Sequence, residues 1–325
     1  MTRAAAAPGR GRGSRAAILF GLASLAGMVG CAPAHDAEQL FRQLQSPDAE
    51  TRQEANQELE SIVEQGDYKV FLRGIESADR IYRAQSMIYL ARVTRPEARA
   101  ALRDLLRVDR RIMLPFNPIR LKPTTEESDS RILAANLIAQ TGGDAEAIVV
   151  LTAGLQDQPP EVLEATGYAV GALRDPKGIP FLATETRSPE IAVVRAAVQA
   201  LGHFREPGAL EALKGVVSHP SLEVRTDLLG SLELQSGPAA EEVLKSIGVS
   251  DPSPEMRAAA IEKLGGTKDR SLVPYLIDRL RDRQEPPRQA ALEVLGQMTG
   301  QRLGPRRDRW ERWWSQNQTS FTAHG

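Results

Sequence analysis

The fold of this chain is decided by a stretch near its C-terminal end, MRAAAIEKLG at residues 256–265. When Arg257 is taken as position zero, a small or apolar residue stands three places later and an aliphatic residue seven places later. The same arrangement occurs at eight anchor positions, which are Arg52, Arg83, Arg131, Leu163, Val194, Arg225, Arg257 and Arg288. Successive anchors are 31 or 32 residues apart, except for one interval of 48. This regular period indicates a helical-repeat array.

Two further positions predict a second helix in each unit. Thirteen residues after the anchor, proline occurs at Pro96, Pro176, Pro207 and Pro238, and proline suits the first helical position because it has no N–H to lose there. Nineteen residues after the anchor stand the apolar residues Phe71, Leu102, Val150, Leu182, Leu213, Leu244 and Leu276. No segment alternates with the period of a strand. We therefore expect all-α structure, about eight two-helix repeats, and no sheet.

The first helix of a unit has its own start signals. The runs Ser188-Pro189-Glu190 and Ser253-Pro254-Glu255 each provide a capping hydroxyl, then a proline, then an acid near the positive end of the helix dipole. The sequence therefore predicts helix starts at these two places, with Ser188 and Ser253 as the capping residues. Gly142-Gly143 is expected to end a helix.

The runs MRAAAIEKLG at 256–265 and RQAALEVLG at 288–296 resemble HEAT-like repeats of the short class found in phycobilisome lyases. The resemblance covers residues 46–300. It implies a right-handed α-α superhelix, a HEAT- or armadillo-like solenoid, in which the second helices line the concave face. Each unit of such an array buries its apolar positions against its neighbours, so stability is spread along the chain. The resemblance specifies the fold and leaves the function open.

The N-terminal residues resemble a bacterial lipoprotein signal peptide. Residues 1–15 carry four arginines and no acid, and an uncharged apolar run follows from Ala16 to Gly30. The run ends in MVGC, residues 28–31, which is similar to a lipobox, in which Cys31 receives the lipid and becomes the first residue of the mature chain. The sequence therefore predicts a signal peptide at 1–30 and a lipidated N-terminus at 31–45 that leads into the first helix. An ordinary signal peptide cut elsewhere is the alternative.

The predicted location is the bacterial cell envelope. Ala32 follows the cysteine, and the sorting rule of lipoproteins then implies the outer membrane, with the chain facing the periplasm. Without residues 1–30, the chain has 37 basic and 42 acidic residues, which is not the charge of a nucleic-acid-binding protein. We expect contact with the membrane through the lipid, and partners that are other envelope proteins.

Histidine spacing gives no sign of a metal site. The four histidines are His35, His203, His219 and His324, and none stands in a metal-ligand spacing. A diiron hydroxylase of the HEAT-like family binds its metal through His-Glu pairs, whereas this sequence contains no His-Glu dipeptide. We therefore expect no catalytic residue, no cofactor and no metal. An enzyme or accessory subunit of the bilin-lyase or HEAT-hydroxylase type is the alternative.

Six of the eight anchors are arginine, which admits two interpretations. A basic ladder can hold an anionic ligand, or each arginine can pair with acids of neighbouring turns while its aliphatic stem covers the core. Leu163 and Val194 interrupt the ladder in its middle, which favours the structural interpretation. We also expect Leu232→Ala to cost about 2–5 kcal/mol, and Arg225→Ala to cost less.

The long interval contains an insertion at residues 107–129. Its candidate partner-binding residues are Arg107, Arg110, Arg111, Phe116, Arg120 and Lys122. Basic side chains beside an apolar segment suit an acidic partner or an anionic membrane surface. The alternative is that Ile112, Leu114 and Phe116 fill the groove between two units and that the charges are merely solvated.

Residues 301–325 are the second departure from the repeat and resemble a tail found on other bacterial HEAT-repeat envelope proteins. Trp310, Trp313 and Trp314 are spaced to lie on one face of a helix. We predict that this helix caps the last unit, and a partner-binding aromatic patch is the alternative. Taken as a whole, the sequence predicts a lipid-anchored, non-enzymatic scaffold that mediates protein–protein interaction through its concave face or its insertion.

Overall fold

The computed structural model describes residues 36–108, 110–113, 127–143, 146–153, 158–235 and 237–319. These residues form seventeen α-helices, one short 3-10 turn and one pair of short strands. The predicted all-α, superhelical HEAT-like architecture is confirmed. The signal peptide, Cys31, His35, His324 and residues 114–126 of the insertion lie outside the described residues.

The helices alternate between two layers. The first helices of the eight units are α2 (Ala49–Gln65), α4 (Arg80–Arg92), α6 (Ser130–Thr141), α8 (Pro160–Leu173), α10 (Ile191–Leu201), α12 (Leu222–Leu234), α14 (Pro254–Gly265) and α16 (Glu285–Thr299). The second helices are α3 (Lys69–Ile75), α5 (Pro96–Leu105), α7 (Ala147–Thr152), α9 (Ile179–Glu185), α11 (Pro207–Lys214), α13 (Pro238–Ser250), α15 (Leu272–Arg279) and α17 (Arg307–Asn317). An additional helix, α1 (Ala37–Gln43), packs on α2, α3 and α4. Each first helix packs on the first helix of the next unit.

The repeated positions build the core. Every residue three and seven places after an anchor is buried. The apolar residues nineteen places after the first seven anchors are buried except Val150, and Ile148 and Leu151 are buried in its place. The first helices approach closely where small residues face each other. A Cβ on Gly171 would lie 2.8 Å from the Cα of Ala200, so this position requires glycine.

Three of the four prolines begin a second helix as predicted, and the fourth differs. Pro96, Pro207 and Pro238 are the first residues of α5, α11 and α13, whereas Pro176 begins a 3-10 turn (Pro176–Gly178) before α9. The reason is Pro180, four residues later, which has no N–H to donate to the Pro176 carbonyl. An α-helical turn therefore cannot be completed from Pro176.

One of the two predicted capping serines has the expected role. Ser253 caps α14, because its hydroxyl accepts the Met256 N–H. Ser188 instead accepts the Glu190 N–H at 3.2 Å inside the turn, and α10 begins at Ile191. The helix prediction at this place was therefore early by two residues.

The described part of the chain departs from the all-α pattern at one place, the base of the insertion. Strands β1 (Arg111–Met113) and β2 (Glu127–Asp129) pair antiparallel, with Arg111 opposite Asp129. The insertion leaves the array and returns to it at the same turn, so its two ends lie side by side. Pairing the ends satisfies their backbone N–H and C=O groups. Among the described helices, none is long and apolar enough to cross a membrane.

Candidate functional site

The anchor arginines close the turns that enter the first helices. Five of the six donate a guanidinium hydrogen bond to the backbone carbonyl six residues earlier: Arg52 to Ser46, Arg83 to Ser77, Arg225 to His219, Arg257 to Asp251 and Arg288 to Asp282. The residue six places before Arg131 is outside the described part of the chain. The anchor therefore fixes the turn of its own unit.

Four of the anchors also reach the following turn: Arg83 donates to the Arg111 carbonyl and Arg131 to Gln158, while Arg225 and Arg257 pair with aspartates. Arg225 Nε lies 2.8 Å from Asp251 Oδ2, and both side chains are buried. Arg257 Nε lies 2.9 Å from Asp282 Oδ2. The hydrogen bonds from Arg257 hold the pKa of Asp282 below its ordinary value, and those to Asp282 raise the pKa of Arg257. These contacts agree with the structural interpretation of the arginine column, since the guanidinium groups are engaged within the array.

The base of the insertion is fixed to the array at several points. Arg110 donates to the Ile75 carbonyl at 3.0 Å and to the Glu76 carboxylate at 2.8 Å, both at the end of α3. Ser130 N–H donates to the Arg110 carbonyl at 2.9 Å, and Ile112 is fully buried. The insertion therefore starts and ends on a rigid support.

Asp129 and Arg131 close this turn in a different way from the regular ones. Asp129 caps α6 by accepting the Arg131 N–H at 2.8 Å, and its carboxylate pairs with the Arg131 guanidinium at 2.5 Å. Burial acts to raise the pKa of Asp129, but the hydrogen bonds from Arg131 prevail and lower it. Arg131 also donates to Gln158, which precedes α8. The link to the next unit is thus kept through Gln158, which stands one residue after the position equivalent to Asp251 and Asp282.

The predicted partner-binding residues fall into three groups. Arg110 is held in the contacts described above. Arg107 and Arg111 are exposed, and their side chains have no hydrogen-bond or ion-pair partner among the described residues. The other candidates, Phe116, Arg120 and Lys122, lie outside the described residues. Ile112 is buried against the array, as the alternative expects of the apolar segment.

The predicted tryptophan helix is α17, and it takes the place of a second helix in the last unit. It packs on α15. Trp310 is fully buried, and its Nε1–H donates to the Gly304 carbonyl at 2.8 Å. Trp313 and Trp314 are half-buried beside it, with ring centroids 6.2 Å apart for Trp310 and Trp313. Capping of the array by these residues stays a prediction.

The two described histidines lie in turns between helices. His203 follows α10, and burial, with Arg174 and Arg205 nearby, lowers its pKa. His219 precedes α12, and its Nδ1 accepts the Ser221 N–H at 3.1 Å. Within the described ranges, no three or more His, Cys, Asp or Glu side chains are grouped so that they could hold a metal ion.

Sequence reasoning missed a second basic cluster, in the turn between α15 and α16. The residue five places before the anchor is proline in four units, namely Pro47, Pro189, Pro220 and Pro252, and Arg283 stands there in the last unit. Arg281 stands two residues before it. Both are exposed and line a surface cleft. The loss of proline from a repeated position was the signal that could have revealed this cluster.

The fold and the turn contacts define an array of stacked two-helix units. Residues 240–306 match the family model described as HEAT repeats. No curated protein matches the sequence.

Solved structures of helical-repeat proteins resemble the fold. One is YibA of E. coli, with 16% identity over 79% of this chain and 91% of that chain and a TM-score of 0.48. A second is the complex of CpcE and CpcF of phycocyanin lyase from Nostoc sp. PCC7120, with 18% identity, 78% and 94% coverage and a TM-score of 0.41. A third is human deoxyhypusine hydroxylase in complex with glycerol, with 18% identity, 81% and 99% coverage and a TM-score of 0.35. Likenesses of this size say nothing about activity.

Proposed function

We propose that the protein is a non-enzymatic scaffold, anchored in the bacterial envelope by a lipid on Cys31, and that its insertion binds an acidic surface of another envelope protein. The observation that carries the proposal is the contrast at the base of the insertion. Arg110 and Ile112 are fixed to the array, while Arg107 and Arg111 project from the same support without a described partner. A rigid base that presents guanidinium groups without a hydrogen-bond partner among the described residues loses little conformational entropy on binding.

Guanidinium groups suit this task because they pair with carboxylates through two parallel hydrogen bonds. Arg120 and Lys122 would add to the positive charge of the same insertion. Electrostatic complementarity of this kind mainly accelerates association and selects the partner. Recovery of the partner should therefore decrease as the salt concentration rises.

The interaction is tested with the mature chain as bait in an envelope extract. Arg107→Ser/Arg111→Ser should lose the specific partner while its melting temperature stays that of the unchanged chain. The matched control is Arg187→Ser/Arg302→Ser, which removes two other exposed arginines without described partners, and it should recover the partner normally. If both variants recover the partner equally well, the insertion is not the binding surface.

The anchor is tested separately. Cys31→Ser should leave the fold intact and move the protein from the membrane fraction to the soluble fraction, because one residue carries the whole covalent attachment. A variant that stays in the membrane pellet after a high-salt wash would show that the lipid on Cys31 does not hold the protein there.

A further inference from the structure

The turn between α15 and α16 borders a cleft that is rich in arginine. We call it the arginine cleft. It has a volume of about 300 Å³ and is lined by Val249, Arg257, Asp278, Arg279, Arg281, Asp282 and Arg283. Four guanidinium groups and two carboxylates therefore meet in one small space. The lining carries an excess of two positive charges.

Both carboxylates of the cleft are already engaged. Asp282 is held by Arg257, with the two nitrogen–oxygen pairs at 2.9 and 2.8 Å. Asp278 pairs with Arg279 at 2.5 Å and lies 3.8 Å from Arg307. The excess charge therefore resides on Arg281 and Arg283, which are exposed and have no ion-pair partner among the described residues.

The array contains a natural comparison one unit earlier. The equivalent cleft there has a volume of about 310 Å³ and is lined by residues that include His219, Arg225, Ser250, Asp251 and Pro252. Its single arginine and single aspartate neutralise each other in a buried pair. Ser250 and Pro252 occupy the positions that Arg281 and Arg283 hold in the last unit. The framework of the two clefts is thus shared, and the added charge is specific to the arginine cleft.

A structural role does not account for these two arginines. In the earlier turn, proline restricts the backbone and so favours the folded state. Arg283 lacks that restriction of the backbone, and its side chain makes no described contact that would compensate for the lost stability. The positive charges of Arg281 and Arg283, which stand two residues apart, also repel each other. An anion in the cleft would relieve the repulsion and neutralise the excess charge.

We propose that the arginine cleft is a binding site for a phosphate group in its doubly charged form. Two positive charges in excess match the two negative charges of a phosphate dianion, whereas a single carboxylate would leave one uncompensated. Guanidinium groups bind phosphate oxygens through paired, charge-assisted hydrogen bonds. This inference concerns a site at the opposite end of the array from the insertion, and it does not depend on the proposed function.

The test uses the full mature chain and inorganic phosphate at about pH 8, where phosphate is largely dianionic. Isothermal titration calorimetry with phosphate should give a saturable one-site isotherm. A titration with sodium chloride at equal ionic strength should not. Arg281→Ser/Arg283→Ser should weaken binding about tenfold or more, because it removes both guanidinium groups that carry the excess positive charge and their charge-assisted hydrogen bonds. The matched control is Arg187→Ser, at the position equivalent to Arg281 in another unit, and it should bind phosphate like the unchanged chain.

Three results would overturn the proposal. One is the absence of saturable binding, the second is equal binding by the double variant, and the third is equal binding of acetate. Because both arginines are exposed, the double variant should melt like the unchanged chain in the absence of phosphate, which separates lost binding from lost folding. A parallel titration with phenyl phosphate distinguishes a phosphate monoester from free phosphate as the ligand. Binding at least as tight as that of inorganic phosphate indicates a phosphate monoester, and clearly weaker binding indicates the free ion.

Discussion

The regular turn before α14 and the interrupted turn before α6 perform the same task with different means. Before α14, Asp251 accepts hydrogen bonds from Arg225 of the preceding unit, and its carbonyl accepts one from Arg257. Before α6, Asp129 pairs with Arg131 only two residues away, and Arg83 of the preceding unit donates to the backbone carbonyl of Arg111 rather than to a carboxylate. The regular turn therefore joins two units through an aspartate, whereas the interrupted turn is joined to the preceding unit through a backbone carbonyl and keeps its aspartate for its own turn.

This difference shows where the array can accept extra chain. In a regular turn, a long insertion would separate Asp251 from Arg225 and leave two buried charges without partners. In the interrupted turn, the aspartate pair is local and the bond from the preceding unit ends at Arg111, so residues can be added between Arg111 and Asp129 without breaking either contact. Arg110 and Ile112 then attach the added residues to the array.

The largest expected effect concerns the regular turn. Arg225→Ala should lower the free energy of unfolding by about 3–5 kcal/mol, because it leaves the buried Asp251 carboxylate without its partner. Chemical denaturation of the mature chain measures this loss. Leu232→Ala, a buried truncation in the same helix, should cost about 2–5 kcal/mol. We therefore replace the sequence-based expectation that Arg225→Ala is the milder change.

A double variant separates the pair from the packing around it. Arg225→Met/Asp251→Leu should recover much of the lost stability, because apolar side chains of similar size avoid the desolvation of two charges. A cost for Arg225→Ala of under about 1 kcal/mol, the range of exposed pairs, would contradict the assignment of this pair as the link between units.

The interrupted turn should depend on packing rather than charge. Ile112→Ala should cost about 2–5 kcal/mol as a buried aliphatic truncation. The neighbouring exposed residue provides the control, since Arg111→Ala should stay within about 0.5 kcal/mol of the unchanged chain. Thermal or chemical denaturation distinguishes the two. If Ile112→Ala and Arg111→Ala both change the free energy of unfolding by the same small amount, the base of the insertion is not part of the core.

Much of the fold could be predicted because its determinants repeat. The positions three and seven places after the anchor are buried in every unit, since helix-on-helix packing makes the same demand each time. Local departures were harder to predict. Pro180 turned the start at Pro176 into a 3-10 turn, and the pairing of β1 with β2 depends on two segments that are far apart in the sequence.

The candidate site was only partly predictable. The basic character of the insertion could be read from the sequence, but the separation of Arg110 from Arg107 and Arg111 depends on the end of α3, which is distant in sequence. The anchor arginines were predicted to be structural. Their partner aspartates could not be identified, because the pairing of Arg257 with Asp282 is set by the stacking of two units.

The smallest expected effect concerns acid. The hydrogen bonds from Arg257 lower the pKa of Asp282 below its ordinary value of 3.8. Folding therefore favours the ionised carboxylate, so this contribution to stability is present above the ordinary pKa and is lost as the pH falls through the lower value of the folded state. Asp282→Asn should consequently show a smaller loss of stability than the unchanged chain between about pH 5 and about pH 2. Denaturation curves across this range measure it.

The corresponding change in the interrupted turn makes the comparison sharper. The pKa of Asp129 is also lowered, so Asp129→Asn should reduce the acid sensitivity in the same direction. The location of the response should differ, because Asp282 joins two units and Asp129 pairs within its own turn. In acid, amide exchange should rise in both α14 and α16 for the first pair, but only near the start of α6 for the second. Glu262→Gln, an exposed change on α14, controls for the loss of one negative charge. Exchange that rises equally along the whole array would mean that neither pair acts locally and that the two turns do not differ in the way argued above.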